Sequence, residues 1–212
     1  ATVIAGKERQ PCDDLISDLV ASRDAGELDQ VELQSTLFNL IVAGHETTTN
    51  LIGNAVLALF RDPELRADLA ADHDRIPAAI EELIRHDGPV HHATFRFAAE
   101  PVELGGVTIP AGAQVLVCVA AANRDDSQYT DPDRVDVDRH EARHLGFGHG
   151  IHHCLGAGLA RVEGRLALAA LLDRFPALAP AVGVDALRWE RGDGIVLRGV
   201  STLPVRPGPA AP

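Results

Sequence analysis

Apolar or small residues recur at Leu33, Leu37, Leu40, Gly44, Thr47, Leu51, Ala55 and Ala58, the three-to-four spacing of a helix face. Asp29 followed three residues later by Glu32 has the form of a capping box, and Asp62-Pro63 interrupts the pattern. The spacing therefore predicts one helix of about 30 residues, a rod roughly 45 Å long at about 1.5 Å per residue. Asp62 and Pro63 read as the cap and first position of the next helix. Pro77 opens another, with Ile80, Leu83 and Ile84 on its inner face and Gly88-Pro89 as its stop.

From Thr94 the period changes to strands: 94–98, 102–104, a Gly105-Gly106 turn, 107–109, a Pro110-Ala111-Gly112 turn, then 114–119. Residues 125–143 are polar and irregular. A glycine-rich stretch follows and leads into a second long helix over 154–174, ended by Pro176. Short strands are expected at 187–190 and 195–198, and the proline-rich 204–212 is expected to fray. The pattern describes a mainly α chain with a minor antiparallel β-sheet, read as a single unit over residues 1–212.

Composition narrows the function classes. The 212 residues are 46% hydrophobic and 24% charged, ordinary for a folded chain, and no apolar run approaches the 18 or so residues of a membrane span. Nineteen Lys and Arg against 31 Asp and Glu give a net charge of −12, which argues against a nucleic-acid or anionic-membrane surface. Three widely spaced cysteines, Cys12, Cys118 and Cys154, make no disulfide framework and suit a reducing, cytoplasmic location. With no methionine and Ala1 at its start, the sequence is expected to belong to a longer polypeptide.

The chemistry concentrates in Phe147-Gly148-His149-Gly150-Ile151-His152-His153-Cys154-Leu155-Gly156. A cysteine where a loop becomes a helix sits near unpaired N–H groups and the positive end of the helix dipole, both of which favour the thiolate. Glycines let the backbone turn tightly and approach a flat ligand, and Phe147 can shield the sulfur from water. Two other readings stay open on these residues: Cys154 as an inert thiol, or His149, His152, His153 and Cys154 as a zinc cluster. Zinc sites draw ligands from two separated pairs, and no second Cys or His pair stands at standard spacing. Elsewhere, His45-Glu46 suggests a zinc-protease helix, but Thr49 occupies the position its second histidine needs.

The order Phe-x-x-Gly-x-His-x-Cys-x-Gly from Phe147 to Gly156 resembles the haem-binding loop of the cytochrome P-450 monooxygenases. Three further segments agree in the family's order. Ala43-Gly44-His45-Glu46-Thr47-Thr48 is similar to the oxygen-binding segment of the family's distal helix. Glu82-Leu83-Ile84-Arg85 is similar to its buried ion pair, completed by an arginine from Pro132-Asp133-Arg134. Arg96 matches an arginine that holds a haem propionate, and His152 a second propionate contact.

The resemblance implies the C-terminal portion of the cytochrome P-450 fold: long distal helix, haem-binding loop and proximal helix. It implies haem b as cofactor, with Cys154 as the iron ligand and Ala43, Gly44, Arg96, Phe147, Gly148, His152 and Gly156 around it. Glu46 and Thr47 would move protons during oxygen activation, and Glu82, Arg85 and Arg134 would fasten the haem loop. A ferredoxin-type donor with its reductase would supply two electrons, and a small hydrophobic organic substrate would be hydroxylated or epoxidised. The alternatives are an inactive haem-binding remnant and a Cys/His metal-binding module.

Overall fold

The computed structural model describes residues 2–140, 143–190 and 195–209. The chain divides into two units, 1–46 and 47–212, with the boundary inside a single helix. In the first unit, α1 (Thr2–Arg9) and α2 (Leu15–Asp24) precede α3 (Gln30–Arg61). Ile4, Val20 and Leu33 form a small core there, with Leu19 and Leu37 packed against it. Asp14 caps α2 by accepting the Ser17 N–H at 2.9 Å. The capping box at the start of α3 closes in both directions: Asp29 accepts the Val31 and Glu32 N–H groups, and Glu32 accepts that of Asp29 at 2.8 Å.

The second unit begins with the remainder of α3, followed by α4 (Pro63–Ala71) and α5 (Ile76–Asp87). Asp62 caps α4 through the Leu65 N–H, with Pro63 at its first position as the spacing predicts. Among the described residues, eight two- or three-residue strands then form four antiparallel ribbons, where the sequence suggests one small sheet. β1 (Arg96–Phe97) pairs with β4 (Gln114–Val115), β2 (Val102–Leu104) with β3 (Val107–Ile109), β5 (Ala179–Pro180) with β8 (Val205–Arg206), and β6 (Trp189–Glu190) with β7 (Gly199–Val200). Between them come α6 (Val119–Ala122) and α7 (Ala157–Arg174). The core joins α3, α4, α5 and α7 through Leu51, Leu59, Leu69, Ile80, Leu83, Leu168 and Leu172. No helix among the described residues is long and apolar enough to cross a membrane.

Several expected boundaries move, each for a local reason. The strand read over 114–119 stops at Val115; Cys118 makes one bridge to His92 and then caps α6. The strand read over 195–198 shifts to Gly199–Val200, and Leu197 makes an isolated bridge to Val90. Trp189 lies under the Arg198 guanidinium at 3.7 Å, which helps to set that register. Val205 and Arg206, read as fraying, are held in β8, where the Pro204 carbonyl accepts the Ala181 N–H at 2.8 Å. Residues 210–212 of that tail, and 141–142 of the irregular stretch, lie outside the described residues. The second long helix starts at Ala157 rather than 154, because Cys154 to Gly156 form the turn that enters it.

Candidate functional site

Cys154 is held from two sides. Its N–H donates to the Phe147 carbonyl at 2.8 Å, and its own carbonyl accepts the Ala157 N–H at 3.3 Å, the first amide of α7. The loop between them makes a short 3-10 turn over Gly150–His152. Gly148 at φ +73° and Gly150 at φ +75° adopt left-handed backbone that other residues enter only at a cost. Phe147, Gly148, His152, Cys154 and Gly156 are thus brought together on one loop, with the thiol exposed. Around it Ile151 is 98% exposed, Leu155 92% and Leu159 62%, an apolar surface facing water.

Phe147 is the half-buried root of the loop and packs against the core. The Arg161 guanidinium lies 4.4 Å from its ring centroid, and the rings of His144 and His153 stand 5.8 and 6.4 Å away. Glu81 on α5 receives both Arg161 N–H groups, at 2.6 and 2.9 Å, and approaches His144 Nε2 at 3.2 Å. Gly146 N–H donates to His144 Nδ1 at 3.0 Å, so one ring nitrogen meets the loop backbone while the other meets Glu81. Burial works to raise the Glu81 carboxyl, but the hydrogen bonds from His144 and Arg161 prevail and hold it down at about 2.

One residue along, Glu82 anchors a second network. Its carboxylate binds Arg85 at 2.7 and 2.8 Å, the Asp136 N–H at 2.8 Å and Arg139 Nε at 3.2 Å. Arg85 also donates to the Asn123, Pro132 and Arg134 carbonyls and lies 5.1 Å from the Tyr129 ring centroid. Desolvation pushes the Glu82 carboxyl up, and its arginine and backbone donors bring it below the ordinary value. The second guanidinium is a correction to the sequence reading: Arg139 supplies it, while the Arg134 side chain is 67% exposed and pairs with Asp136 at 3.2 Å. Arg134 takes part only through its carbonyl, which accepts from both Arg85 and Arg139. Asn123 joins the two regions by accepting the Leu145 N–H at 2.7 Å.

The remaining candidates belong to other elements. Ala43, Gly44 and Glu46 occur on the exposed part of α3 in the first unit, where a Cβ added at Gly44 would meet nothing within 4 Å. Thr47, half-buried on the same helix, opens the second unit. Arg96 is folded onto its own strand, donating to the Thr94 carbonyl and hydroxyl and the Phe95 carbonyl at 2.5 to 3.2 Å. Glu81, Asn123, Tyr129, Arg139 and Arg161 carry no motif signal of their own in the sequence. Among the described residues no group of three or more His, Cys, Asp or Glu side chains is arranged to hold a metal ion, His149, His152, His153 and Cys154 included.

The family model described as Cytochrome P-450 matches residues 6–197. The chain belongs to the cytochrome P-450 family. Curated P-450 relatives include the vitamin D(3) 25-hydroxylase of Pseudonocardia autotrophica, 48% identical over 205 residues, which are 96% of this chain and 50% of that protein. The mycinamicin IV hydroxylase/epoxidase of Micromonospora griseorubida is 47% identical over 205 residues, 96% of this chain and 51% of that protein. Among solved P-450 structures, the enzyme CxnD, for C–S bond formation in chuangxinmycin biosynthesis, superposes with a TM-score of 0.94 at 42% identity, covering 100% of this chain and 52% of that one. The chain thus spans about half the length of the curated P-450 relatives it matches. P-450 proteins are haem-thiolate iron enzymes, so haem is the cofactor expected here.

Proposed function

We propose that this chain is the haem-binding half of a monooxygenase that hydroxylates or epoxidises a small hydrophobic organic substrate. The observation that carries the reading is Cys154: one exposed thiol on a loop tied to Phe147, surrounded by exposed Ile151, Leu155 and Leu159. A bare zinc ion needs three or four protein ligands and finds no such group among the described residues, whereas haem brings its own four nitrogens and would need one protein sulfur. The donor set and its apolar surroundings fit a porphyrin.

Cys154 is the residue that would ligate the iron, with Phe147, Gly148, His152 and Gly156 shaping the loop beneath the ring. Arg96 and His152 are the cationic or N–H donors proposed for its propionates, and Ala43 and Gly44 are proposed as cofactor-binding residues from the likeness of their segment to the family's distal helix. Bound haem supplies oxygen activation, and Glu46 and Thr47 are the acid and hydroxyl that would carry protons to it. Glu82, Arg85 and Arg139, with the Arg134 carbonyl, hold the segment that precedes the loop. The hydroxylase and epoxidase names among the relatives support the reaction class. Electron supply by a ferredoxin-type donor and its reductase, in the cytoplasm, is proposed from the same relationship.

The carbon monoxide difference spectrum of the reduced, hemin-supplemented protein tests this. A long-wavelength thiolate band that Cys154→Ser abolishes supports the reading, and a protein that takes up no hemin, or an unchanged spectrum in the Ser variant, overturns it. Turnover with a ferredoxin system then separates an enzyme from a haem-binding remnant.

A further inference from the structure

Glu81 and Glu82 are neighbours on α5, and consecutive helical positions diverge by about 100° around the axis. They serve different parts of the molecule. Glu82 gathers Arg85, Arg139 and the Asp136 amide. Among the described residues, Glu81 gathers groups of the cysteine loop and of the helix that follows it, namely His144 and Arg161. Those two partners hold Phe147 from two directions, one by a cation–π contact at 4.4 Å and the other by a tilted ring contact at 5.8 Å. His144 also receives the Gly146 N–H, which fixes the backbone just before Phe147. The Phe147 carbonyl in turn accepts the Cys154 N–H. The hydrogen bonds that Arg161 donates to Glu81 are the first cause holding the guanidinium proton in place.

We infer that Glu81 is a positioning residue for Cys154: by clamping Arg161 and His144 about the Phe147 ring, it orients the backbone acceptor that sets the thiol's place. The inference deepens the proposed haem-thiolate reading and rests on it for its consequences in hemin affinity and reduction potential, though not for its structural one. With Glu81 removed, Arg161 keeps its charge but loses its bidentate anchor, and His144 loses the carboxylate partner of its Nε2.

The test compares wild type with Glu81→Gln, which keeps the side-chain size and removes the charge. In the haem-free protein, amide hydrogen exchange over 145–154 is expected to accelerate about tenfold or more, as for the loss of a charged hydrogen bond. Exchange at Asp136 and through the core of α5 stays as it was. In the haem-loaded protein, affinity for hemin falls about 10- to 100-fold, the range for partners of metal ligands. The iron reduction potential moves upward, because a negative charge has gone while Arg161 remains. If Glu81 acts through its two partners, Glu81→Gln adds nothing further in a His144→Asn/Arg161→Leu background.

Unchanged loop exchange, uniform loosening of α5 and the Asp136 segment together, or additive effects in that background would each overturn the inference. Should Glu81→Gln not fold, Arg161→Lys, which keeps the cation and loses the fork, reads the same exchange. A wild type that binds no hemin refutes the haem reading alone, and the exchange and cycle measurements still decide the clamp.

Discussion

All five guanidinium N–H groups of Arg85 meet oxygen acceptors: two on Glu82 and the carbonyls of Asn123, Pro132 and Arg134. Its side chain is 2% exposed and that of Glu82 5%, so neither charge has water to fall back on. Removing one partner strands the other, and Glu82→Ala is expected to cost about 3 to 5 kcal/mol, read as a lower denaturant midpoint at unchanged slope. Thr47→Ala belongs to the same scale: under the proposed proton-carrying role, electron consumption should exceed product formation in the assembled enzyme, measured as peroxide released per substrate oxidised. At this scale the sequence is only partly legible. Glu82 and Arg85 are found through the likeness of Glu82-Leu83-Ile84-Arg85 to the family's buried pair, since their three-residue spacing alone describes a minor surface pair. The third member is misplaced because residues 125–140 have no period, so nothing local distinguishes the arginine that turns inward, Arg139, from Arg134, which faces water. Glu81 is invisible for a related reason: its partners lie 63 and 80 residues away in the chain.

At the scale of the element, α3 declares itself by periodicity, α7 by the glycine-rich stretch before it and the proline after it, and the capped starts of α3 and α4 by their aspartates. The short α6 does not, since Val115 to Val119 is an unbroken apolar run rich in valine, which reads as a strand, and Cys118 offers no side-chain cap. Helix α7 is apolar on two sides. Ala157, Gly164, Leu168 and Leu172 are buried on one, and Leu159, Val162 and Leu166, again three or four apart, are exposed on the other. On the buried side, a Cβ at Gly164 would come 3.1 Å from Ile80 and 3.4 Å from Leu51, so α3, α5 and α7 meet there with little slack. Gly164→Leu should therefore overpack the junction and cost about 1 to 3 kcal/mol, while Leu168→Ala should leave a cavity and cost about 2 to 5 kcal/mol. Thermal unfolding of the two variants checks both.

For the whole molecule, acid sensitivity follows from the same carboxylates. Glu81 sits at about 2 in the folded chain against an ordinary 4.5, so it binds a proton less readily folded than unfolded. Its stabilisation is fully present above about pH 4.5 and is lost as pH falls toward about 2. The Tm gap between wild type and Glu81→Gln should be constant near neutrality and close over that window. Exposure of apolar groups on this scale has its own signature. Ile151, Leu155 and Leu166 of the second unit, and Val31, Phe38 and Ile41 of the first, all stand open, so the chain by itself should bind a hydrophobic dye and self-associate as concentration rises. Fold class and cysteine loop were both readable before any coordinates, because helix period and the glycine-histidine-cysteine pattern are local. The division at residue 46 was not, because α3 runs through it without a break in pattern.

Gly146 stands directly against the Ile84 side chain, so closely that a methyl group there would overlap it, whereas Gly150, four residues on, faces open space. A mutational library built on this loop would therefore find position 146 intolerant of any added carbon, because α5 itself blocks it. Position 150 would be limited by backbone handedness alone, which asparagine satisfies better than valine. Engineers seeking to retune the cysteine's surroundings have their latitude at the outer tip and none at the hinge.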